Sequence, residues 1–437
     1  MRVSKLHRNQ SRRAGTPSTP TEYLEAKRIH LKRQRMVSQQ RDRKQDAPIH
    51  HRRLPIILAR VAVKAKRGRW AELAAETQSI VLGDGQYVEE RRVSVDDPAV
   101  AQLNRQGLVA FEAKSVPLRI HHDISVQVIF SKQSTVFYPH YCEMLAHWAH
   151  KRPSVPPAKT ILEFSPHSTL TVARRLAMAA SDYGLSSFPT PSVGVLSFAS
   201  SKRPGGGFLH GGNEQEETIA RLSSLVASLG VPAAQQFYKE HRRHWAEDGS
   251  GLHDHSMLYS PGVVVFRRDG DDTISICGAD GRIVDVPRSE DSVGGDFIPP
   301  YAINVVASVP VNAAAVRAKH LILPSEKELF EDGIRSAMKE RMARILRLFE
   351  EQGDKSIVLG AFGCESSQNK VDMVAQVWAE LLVCGDLGDE GRRPARFAES
   401  FEKVVFAVPG KLLRPFRHAF EMRVFEEQLA DATSDLQ

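Results

Sequence analysis

The sequence is poor in cysteine: its 437 residues include four, and no two of them are spaced as C-x-x-C. They are Cys142, Cys277, Cys364 and Cys384. So few scattered thiols in a chain of this length exclude a disulfide scaffold and present no evident zinc motif. We therefore expect a reducing, intracellular compartment, the nucleus or the cytoplasm.

Long apolar runs are also missing. No stretch approaches the ~18 unbroken apolar residues of a transmembrane helix, and the N-terminus has no apolar core of a secretory signal. A membrane partner is therefore not expected. Residues 1–21 carry basic residues and no Asp or Glu. This composition is typical of mitochondrial presequences, so mitochondrial targeting stays open.

The positive charge is confined to one end of the chain. Residues 1–53 hold 15 Lys and Arg against 4 Asp and Glu, a net of +11, whereas the remaining residues hold 44 against 48, a net of −4. A segment this polar buries too little apolar surface to fold alone, so we expect a disordered basic tail. Two interpretations stay open: an arm that contacts polyanions or directs nuclear import, and a solvated tail with neither role.

From residue 54 onward, short apolar runs alternate with amphipathic segments. Continuous β-branched runs are typical of strands buried on both faces, and their alternation with helices is typical of an α/β sandwich. The runs predict strands at 115–129, 193–198, 263–266, 303–308, 356–359 and 403–408, and the amphipathic segments predict helices at 69–80, 168–183, 214–229, 325–352 and 372–383. We expect a three-layer α/β/α sandwich around a mixed sheet over residues 54–430, with an N-terminal helical accessory region at 54–190 and a core at 191–425.

Three consecutive glycines, Gly205, Gly206 and Gly207, follow the strand predicted at 193–198. Residues without Cβ atoms let the backbone approach a ligand and adopt positive φ, and successive bare N–H groups make an anion-binding concavity. The loop lacks the GK[ST] of a P-loop and the G-x-G-x-x-G dinucleotide spacing. It is a candidate diphosphate or ribose site, or else a flexible loop without a ligand.

The helix predicted after this loop begins near Gln215, Glu216 and Glu217. Asn213 is a candidate N-cap, which places Glu216 at the capping-box position and gives it a structural role. Glu217 lies one residue further round the helix, so its carboxylate can face the glycine loop. The alternative for Glu217 is a first-turn carboxylate that complements the helix dipole.

The segment 194–217, GVLSFASSKRPGGGFLHGGNEQEE, resembles the signature of poly(ADP-ribose) glycohydrolases, a macrodomain family marked by GGG, a spacer and QEE. It is most similar to the compact bacterial and fungal type. Other stretches resemble the family in the same order, across about residues 54–425. They are 69–87, 162–177, Y-S-P-G-V at 259–263, P-x-N at 310–312 and L-G-A-F-G-C at 359–364.

The resemblance implies roles for individual residues. Glu217 matches the catalytic residue and Glu216 the one that binds ribose hydroxyls, and the family uses no metal or other cofactor. The residues that match ligand-binding stretches are Gly205, Gly206, Gly207, Gln215, Ser260, Pro261, Gly262, Val263, Asn312, Gly360, Ala361, Phe362, Gly363, Cys364 and Asn369. The implied activity is hydrolysis of the ribose–ribose O-glycosidic bond in poly(ADP-ribose), on its own or on ADP-ribosylated proteins, and we expect a monomer.

The residue types suit this chemistry. Glycoside cleavage passes through an oxocarbenium-like state, in which a carboxylic acid protonates the leaving oxygen and a carboxylate activates water. Most glycosidases divide these steps between two carboxylates. Here Glu217 would perform both, with Glu216 orienting the sugar.

Three departures from the family pattern stand out. Ser197 occupies a position where Asn is usual, and residues 363–369 read G-C-E-S-S-Q-N where the family has G-C-G-A-F-G-N. Glu365 would repel a diphosphate at close range, and the missing Phe removes an aromatic surface. Two further hypotheses therefore stand beside the glycohydrolase: an ADP-ribose reader that has lost catalysis, and a hydrolase of mono-ADP-ribose.

Other chemistry-bearing residues give weaker indications. His121 and His122, and the four histidines between 241 and 255, fit no zinc spacing, so we expect the latter to form a mobile, solvated loop. Cys364 has no His nearby in sequence to activate it as a nucleophile, and we expect a small buried residue.

Overall fold

The computed structural model describes residues 50–94, 115–150, 159–180, 193–247, 251–277, 283–287, 292–319, 322–388 and 391–434. The chain divides into two compact units, Met1–Lys64 and Ala65–Gln437. In the first unit only residues 50–64 are described, and they are helical. The basic tail predicted at 1–53 therefore lies almost wholly outside the described residues.

The described strands lie in one large sheet and three hairpin-like pairs. In chain order they are β1 (Gln86–Ser94), β2 (Ser115–Asp123), β3 (Val136–Tyr138), β4 (Ile161–Ser165), β5 (Val193–Phe198), β6 (Met257–Arg267), β7 (Thr273–Cys277), β8 (Ile283–Pro287), β9 (Phe297–Ser308), β10 (Ser356–Leu359), β11 (Asp386–Gly388), β12 (Gly391–Arg393) and β13 (Lys403–Ala407). The small pairs are β1 with β2, β7 with β8 and β11 with β12, each antiparallel.

The described helices are longer at the two ends of the chain than around the glycine loop. In chain order they are α1 (His50–Leu82), α2 (Ser125–Gln133), α3 (Glu143–Ala146), α4 (Thr169–Ala180), α5 (Gln215–Leu222), α6 (Leu225–Leu229), α7 (Pro232–Glu247), α8 (Ala313–Lys319), α9 (Lys327–Gln352), α10 (Val371–Ala379) and α11 (Leu413–Ser434). None of the described helices combines the length and the apolar character needed to cross a bilayer.

The central sheet has seven strands in the order β3-β6-β9-β5-β10-β13-β4. Strands β9, β5, β10, β13 and β4 are parallel, and β6 runs antiparallel to both of its neighbours. The expected mixed sheet is therefore confirmed. Its strands β3 and β4 come from residues before 191, so the sheet includes part of the region that the sequence assigned to accessory structure.

Alternate residues of each central strand enter two different cores. In β5, Val195 packs with α4, α5 and α7 on one face, whereas Leu196 packs with α9, α10 and α11 on the other. Side chains of a strand point to opposite faces in turn, which explains why these runs are apolar throughout. The resulting three layers confirm the predicted α/β/α sandwich.

Parallel strands bring three connecting loops to one edge of the sheet. The glycine loop follows β5, residues 309–312 follow β9, and residues 360–369 follow β10. Because β9, β5 and β10 are adjacent and parallel, these loops are neighbours at their carboxyl ends, where ligands bind in open α/β sheets.

The strand predicted at 115–129 was wrong beyond Asp123, because helix α2 begins at Ser125. Ile124 and Val128 are buried at 1% and 5% exposure, whereas Val126 is 71% exposed. Burial at four-residue spacing is typical of a helix. The sequence pattern did not reveal this spacing, because apolar residues also occupy exposed positions of the segment. The Asp123 carboxylate accepts the Ser125 N–H at 2.9 Å and helps to start the helix.

The helix predicted at 214–229 was also wrong in its continuity, because it breaks between α5 and α6. The Ser224 N–H donates to Val264 O at 2.8 Å, and the Val264 N–H donates to Ser224 Oγ at 2.9 Å. Ser224 thus exchanges intrahelical bonds for bonds to β6, as serine does readily because its hydroxyl competes for backbone groups.

Candidate active site

The three glycines form a tight turn that only glycine accommodates easily. Gly205 and Gly206 have φ of +64° and +58°, a left-handed conformation that is costly for residues with a Cβ atom. The Gly206 N–H donates to Arg203 O at 3.0 Å. Phe208, 3% exposed, packs in a core with Ala74 of α1 and anchors the turn.

Glu217 faces this turn, as the sequence predicted. Its Oε1 accepts the Gly207 N–H at 2.6 Å, and its Oε2 accepts the Glu214 N–H at 2.8 Å. A Cβ atom at Gly206 or Gly207 would lie 2.9 or 3.0 Å from Oε1, and one at Gly212 would overlap with the carboxylate. The glycines therefore make room for one carboxylate and hold it in place.

The capping roles of the two glutamates are the reverse of the prediction. The N-cap of α5 is Glu214, not Asn213, so Glu217 occupies the capping-box position N3. The loop runs one residue further than the sequence pattern indicated: Asn213 still belongs to it, and α5 begins at Gln215. The prediction that Glu216 serves as the capping residue was wrong.

Glu216 lies inside the protein and holds the far side of the turn. It is 1% exposed, and its oxygens accept the Ser200 N–H at 2.8 Å and the Tyr238 hydroxyl at 3.2 Å. Burial raises the pKa of Glu216 to about 8, although these donors and the Gly205 N–H oppose the shift. Its carboxyl group therefore contacts protein donors and is not displayed to a sugar, in contrast to the expected ribose-binding role.

Gln215 joins the start of α5 to the end of β5. Its Oε1 accepts the Phe198 N–H at 2.8 Å, and its Nε2 donates to Leu196 O at 2.7 Å and to Thr169 Oγ1 at 3.1 Å. All the hydrogen-bonding groups of the amide are thus engaged within the protein. The predicted ligand residue fixes the distance between the strand end and the helix that carries Glu217.

The second loop, residues 360–369, is closed on itself and on the loop after β9. Asn369 is 3% exposed and donates through Nδ2 to Val311 O at 2.7 Å and to Gly363 O at 3.2 Å. Gly363 has φ of +69°, and a Cβ there would lie 2.6 Å from Pro310. Asn312 caps α8, since its Oδ1 accepts the Ala315 N–H at 2.9 Å. The neighbouring P-x-N and L-G-A-F-G-C stretches thus lie together, as the resemblance implied.

The two loops meet across the N-terminus of α5. The carboxylate of Glu214 accepts a hydrogen bond from Ser366, and Glu365 of the same loop lies close enough to repel it electrostatically. Desolvation raises the pKa of Glu214, the Ser366 bond lowers it, and the charges of Glu217 and Glu365 raise it again. Three carboxylates therefore surround the place where the glycine turn faces the second loop.

Several residues predicted to bind ligand lie elsewhere or point inward. Ser260 pairs with Val305 and Val263 with Ile303, three and five residues before the end of β9. At ~3.3 Å per residue, these pairs lie roughly 10 and 16 Å from the edge that carries the loops. The Y-S-P-G-V stretch is thus an interior bulge of β6, in which Gly262 N donates to Asn304 Oδ1 at 3.0 Å. The ligand-binding role that the resemblance implies for Ser260, Pro261, Gly262 and Val263 stays a prediction.

The second loop contains inward-facing residues too. Phe362 is 0% exposed and packs against Phe198, with ring centroids 5.3 Å apart. The carbonyl of Gly360 accepts the Trp378 indole N–H at 3.1 Å. Phe362 therefore supports the loop from the core, and any contact that it makes with a ligand is through its backbone.

A family model described as microbial-type PARG, catalytic domain, matches residues 112–268, which include the glycine turn and Glu217. The structure also resembles a poly(ADP-ribose) glycohydrolase from Thermomonospora curvata, with 28% identity and a TM-score of 0.54 over 82% of this chain and 99% of that one. Both its sequence and its fold are thus similar to those of microbial-type poly(ADP-ribose) glycohydrolases.

Two other solved glycohydrolase structures are similar. The Thermomonospora curvata protein bound to the inhibitor ADP-HPD has 28% identity and a TM-score of 0.52, with the same coverage. A glycohydrolase from Deinococcus radiodurans in complex with ADP-ribose has 26% identity and a TM-score of 0.49, over 68% of this chain and 96% of that one. No curated protein matches this sequence.

The histidines between 241 and 255 do not form the solvated loop that we expected. His241 is 0% exposed, and burial lowers its pKa to about 4. Beside it, the buried guanidinium of Arg341 donates to Val309 O at 2.9 Å and to Leu252 O at 2.8 Å. This buried cluster supports the loop after β9, and the spacing of its residues along the chain gave no sign of that role.

No group of three metal-ligating side chains is found among the described residues. Cys364 is half-buried, and burial raises the pKa of its thiol to about 12. A thiol that stays protonated is a poor nucleophile, which agrees with the small buried cysteine predicted.

Sequence reasoning missed two residues that shape the site. Tyr238 of α7 reaches Glu216 from 22 positions away, and Glu214 links the glycine turn to the second loop. Only Glu214 left a trace in the sequence, as a third acidic residue next to the QEE motif.

Proposed function

We propose that this chain hydrolyses the ribose–ribose O-glycosidic bonds of poly(ADP-ribose), with Glu217 transferring the protons. The observation that carries the proposal is the orientation of Glu217: its carboxylate lies against three glycines, at the edge where a parallel sheet binds ligands. Similarity to microbial-type poly(ADP-ribose) glycohydrolases supports the reaction class.

The proposed mechanism begins with Glu217 as an acid. It protonates the ribose oxygen that leaves as the glycosidic bond breaks, and positive charge develops on the remaining ribose. The resulting carboxylate then takes a proton from water as that water attacks the anomeric carbon. The Gly207 and Glu214 N–H groups fix the direction of this carboxylate throughout.

Glu216 contributes indirectly in this proposal. With a pKa of about 8, its buried carboxyl group is mostly protonated at neutral pH. It therefore adds little negative charge beside Glu217 or beside a diphosphate, while its bonds to Ser200 and Tyr238 keep the turn in shape. Two adjacent glutamates in contrasting environments thus take different roles.

A second candidate function is an ADP-ribose reader with weak catalysis, and the altered second loop bears on it. Glu214 and Glu365 approach each other at the rim, where a diphosphate would meet their negative charge. Hydrolysis of mono-ADP-ribose remains a further candidate, since the first turn of α5 would act on either linkage.

Partners and location form part of the same proposal. The expected partners are poly(ADP-ribose) and ADP-ribosylated proteins, with non-specific polyanion contact by the basic tail, and the chain acts as a monomer. The cysteines Cys142, Cys364 and Cys384 are free, which supports a reducing compartment, the nucleus or the cytoplasm.

The test is to incubate the purified full-length chain with poly(ADP-ribose) and to measure free ADP-ribose over time. Steady release supports the glycohydrolase. Binding of the polymer without release contradicts it and favours the reader, whereas release only from singly modified proteins favours the mono-ADP-ribose hydrolase.

A further inference from the structure

Arg221 is a buried cation one helical turn after Glu217. It is 2% exposed, its Nη1 donates to Gly212 O at 2.8 Å and its Nη2 donates to Thr218 Oγ1 at 3.0 Å. The guanidinium carbon lies 5.0 Å from the ring centroid of Trp70. A guanidinium held by two acceptors and an aromatic face has a defined orientation, because its donors form a rigid fork.

The acceptor of Arg221 also contacts Glu217. Gly212 packs so closely against the Glu217 carboxylate that a Cβ atom would overlap with it. The Gly212 N–H donates to Gly207 O at 3.2 Å, and the Gly207 N–H donates to Glu217 Oε1 at 2.6 Å. Helix α5 joins Glu217 to Arg221, so the four residues form a closed ring around the proposed acid.

The C-terminal part of α1 closes this ring from outside. Thr77 Oγ1 donates to the carbonyl of Arg221 at 2.7 Å, and Trp70 Nε1 donates to Val293 O at 3.3 Å. Trp70 thereby has a fixed position over the guanidinium. Arg221 thus connects the glycine loop to α1, a helix that contributes no residue to the proposed chemistry. A second link is Arg67 of α1, whose Nε donates to Gly211 O at 3.3 Å.

We propose that Arg221 is a positioning residue for the glycohydrolase reaction: through Gly212 it holds the glycine loop in the shape that orients Glu217. The inference rests on the proposed role of Glu217 and deepens it. Arg221 acts through the loop, since its Nη1 donates to Gly212 and its Nη2 to Thr218.

The charge of Arg221 persists at neutral pH. Burial lowers its pKa to about 10, and the charges of Asp269 and Glu217 oppose that shift. Replacing Arg221 therefore removes both a pair of hydrogen bonds and a buried positive charge, so the test needs one variant that keeps the charge and a control that removes an equivalent charge elsewhere.

Arg267 is the matched control. It is also 2% exposed, its Nη1 donates to Gly295 O at 2.6 Å, and its guanidinium lies 4.0 Å from the ring centroid of Phe297. It pairs with Glu76 of α1 at 2.8 Å. The two arginines thus share burial, a glycine carbonyl acceptor, an aromatic neighbour and a link to α1, and only Arg221 reaches the glycine loop.

The experiment compares Arg221→Met, Arg221→Lys and Arg267→Met in the full chain. We expect Arg221→Met to lower kcat for ADP-ribose release by ~10²-fold, the scale of a small misplacement of a catalytic group, with a much smaller change in ADP-ribose affinity. Arg221→Lys keeps the charge but not the fork, so its kcat should be intermediate. Arg267→Met should lose stability and keep kcat.

Amide hydrogen exchange of residues 205–217 gives a readout that does not depend on activity. Exchange should be faster in Arg221→Met than in the unaltered chain and unchanged in Arg267→Met. Equal kcat losses in the two methionine variants, or unchanged exchange in Arg221→Met, would overturn the inference. If Arg221→Met does not fold, the same two measurements on Arg221→Lys decide it. An unaltered chain that releases no ADP-ribose contradicts the proposed function. In that case the hydrogen-exchange rates of residues 205–217 still test whether Arg221 holds the glycine loop.

Discussion

Glu217 Oε1 accepts the backbone N–H of Gly207 at 2.6 Å, so the glycine turn orients the very carboxylate that the proposed reaction uses. The close contact with Glu217 also explains why these positions need glycine, whereas a flexible loop without a ligand would tolerate other residues. A Cβ atom at Gly206 would lie 2.9 Å from Oε1, and one at Gly207 would lie 3.0 Å from it. The loop therefore fixes the position of the Glu217 carboxylate, and it is also a candidate ligand-binding surface.

The first prediction concerns the glycine with the least room. Gly212→Ala places a methyl group on the Glu217 carboxylate, while the Gly212 N–H is fixed by Gly207 O. We expect the carboxylate to move and kcat to fall by ~10²-fold, measured as initial release of ADP-ribose.

The control for that change is Gly333→Ala. Gly333 lies within α9, and a Cβ there would meet no heavy atom within 4 Å. The substitution should leave kcat unchanged and stabilise the helix by ~1 kcal/mol. A Gly212→Ala chain that is fully active and equally stable would show that the loop yields easily, contrary to this account.

The second prediction concerns the pH dependence of stability. The pKa of Glu216 is raised from 4.5 to about 8, so the folded chain binds more protons than the unfolded chain between these values. The stabilisation that this group contributes is complete below about pH 4.5 and is lost as pH rises through 8. Glu216→Gln mimics the protonated form, so its stability relative to the unaltered chain should increase from pH 5 to pH 8.

Urea denaturation at several pH values measures this difference. Glu421→Gln, which removes an exposed carboxylate paired with Arg417, controls for the loss of a surface charge. A constant difference between Glu216→Gln and the unaltered chain from pH 5 to 8 would mean that Glu216 is ionised throughout, and the account of its burial would fail.

The third prediction concerns the acidic rim. Glu365→Gly restores the residue that the family pattern carries and removes a charge near Glu214. We expect ADP-ribose to bind tighter by ~1 kcal/mol, about fivefold, as for a screened charge pair. Glu365→Gln should show most of the gain if charge is the cause. Calorimetric titration, with Glu328→Gln as a remote control, decides the matter; equal or weaker binding by Glu365→Gly means that the side chain does not face the ligand.

The fourth prediction concerns the basic N-terminus. The net charge of +11 over residues 1–53 should attract polyanions such as poly(ADP-ribose) without sequence preference. Deleting residues 1–49, which leaves α1 intact, should weaken polymer binding and flatten its dependence on salt, because fewer counterions are released. An unfolded deletion variant, or one whose affinity has the same salt dependence, would contradict this role.

The sequence was sufficient to predict five of the seven strands of the central sheet, because those strands are local patterns, but it gave no sign of β3 and β4. The run at 193–198 is strand β5 to the residue, and 356–359 is strand β10. Local pattern failed at Ser224, where tertiary bonds to Val264 interrupt a helix that residue propensities favour. No local sequence pattern predicts this contact, because Ser224 and Val264 lie 40 positions apart in the chain.

The candidate site likewise contains residues that a local motif reveals and residues whose environment depends on distant parts of the chain. The glycines and Glu217 could be found because the motif is contiguous, whereas the burial of Glu216 depends on Tyr238, which a separate helix supplies. Matching motifs to a family also placed the Y-S-P-G-V stretch among the expected ligand-binding residues. It could not tell that Ser260 and Val263 face the interior, because that depends on a bulge in the pairing of β6 with β9.

The most direct test of the central claim is the single-turnover release of ADP-ribose from poly(ADP-ribose) by the unaltered chain and by Glu217→Gln. Gln keeps the shape of the side chain and its place in the capping box, but it cannot transfer a proton. The account predicts that release falls by at least ~10²-fold, while a parallel titration shows little change in ADP-ribose affinity. A Glu217→Gln chain that releases ADP-ribose at the unaltered rate would contradict it.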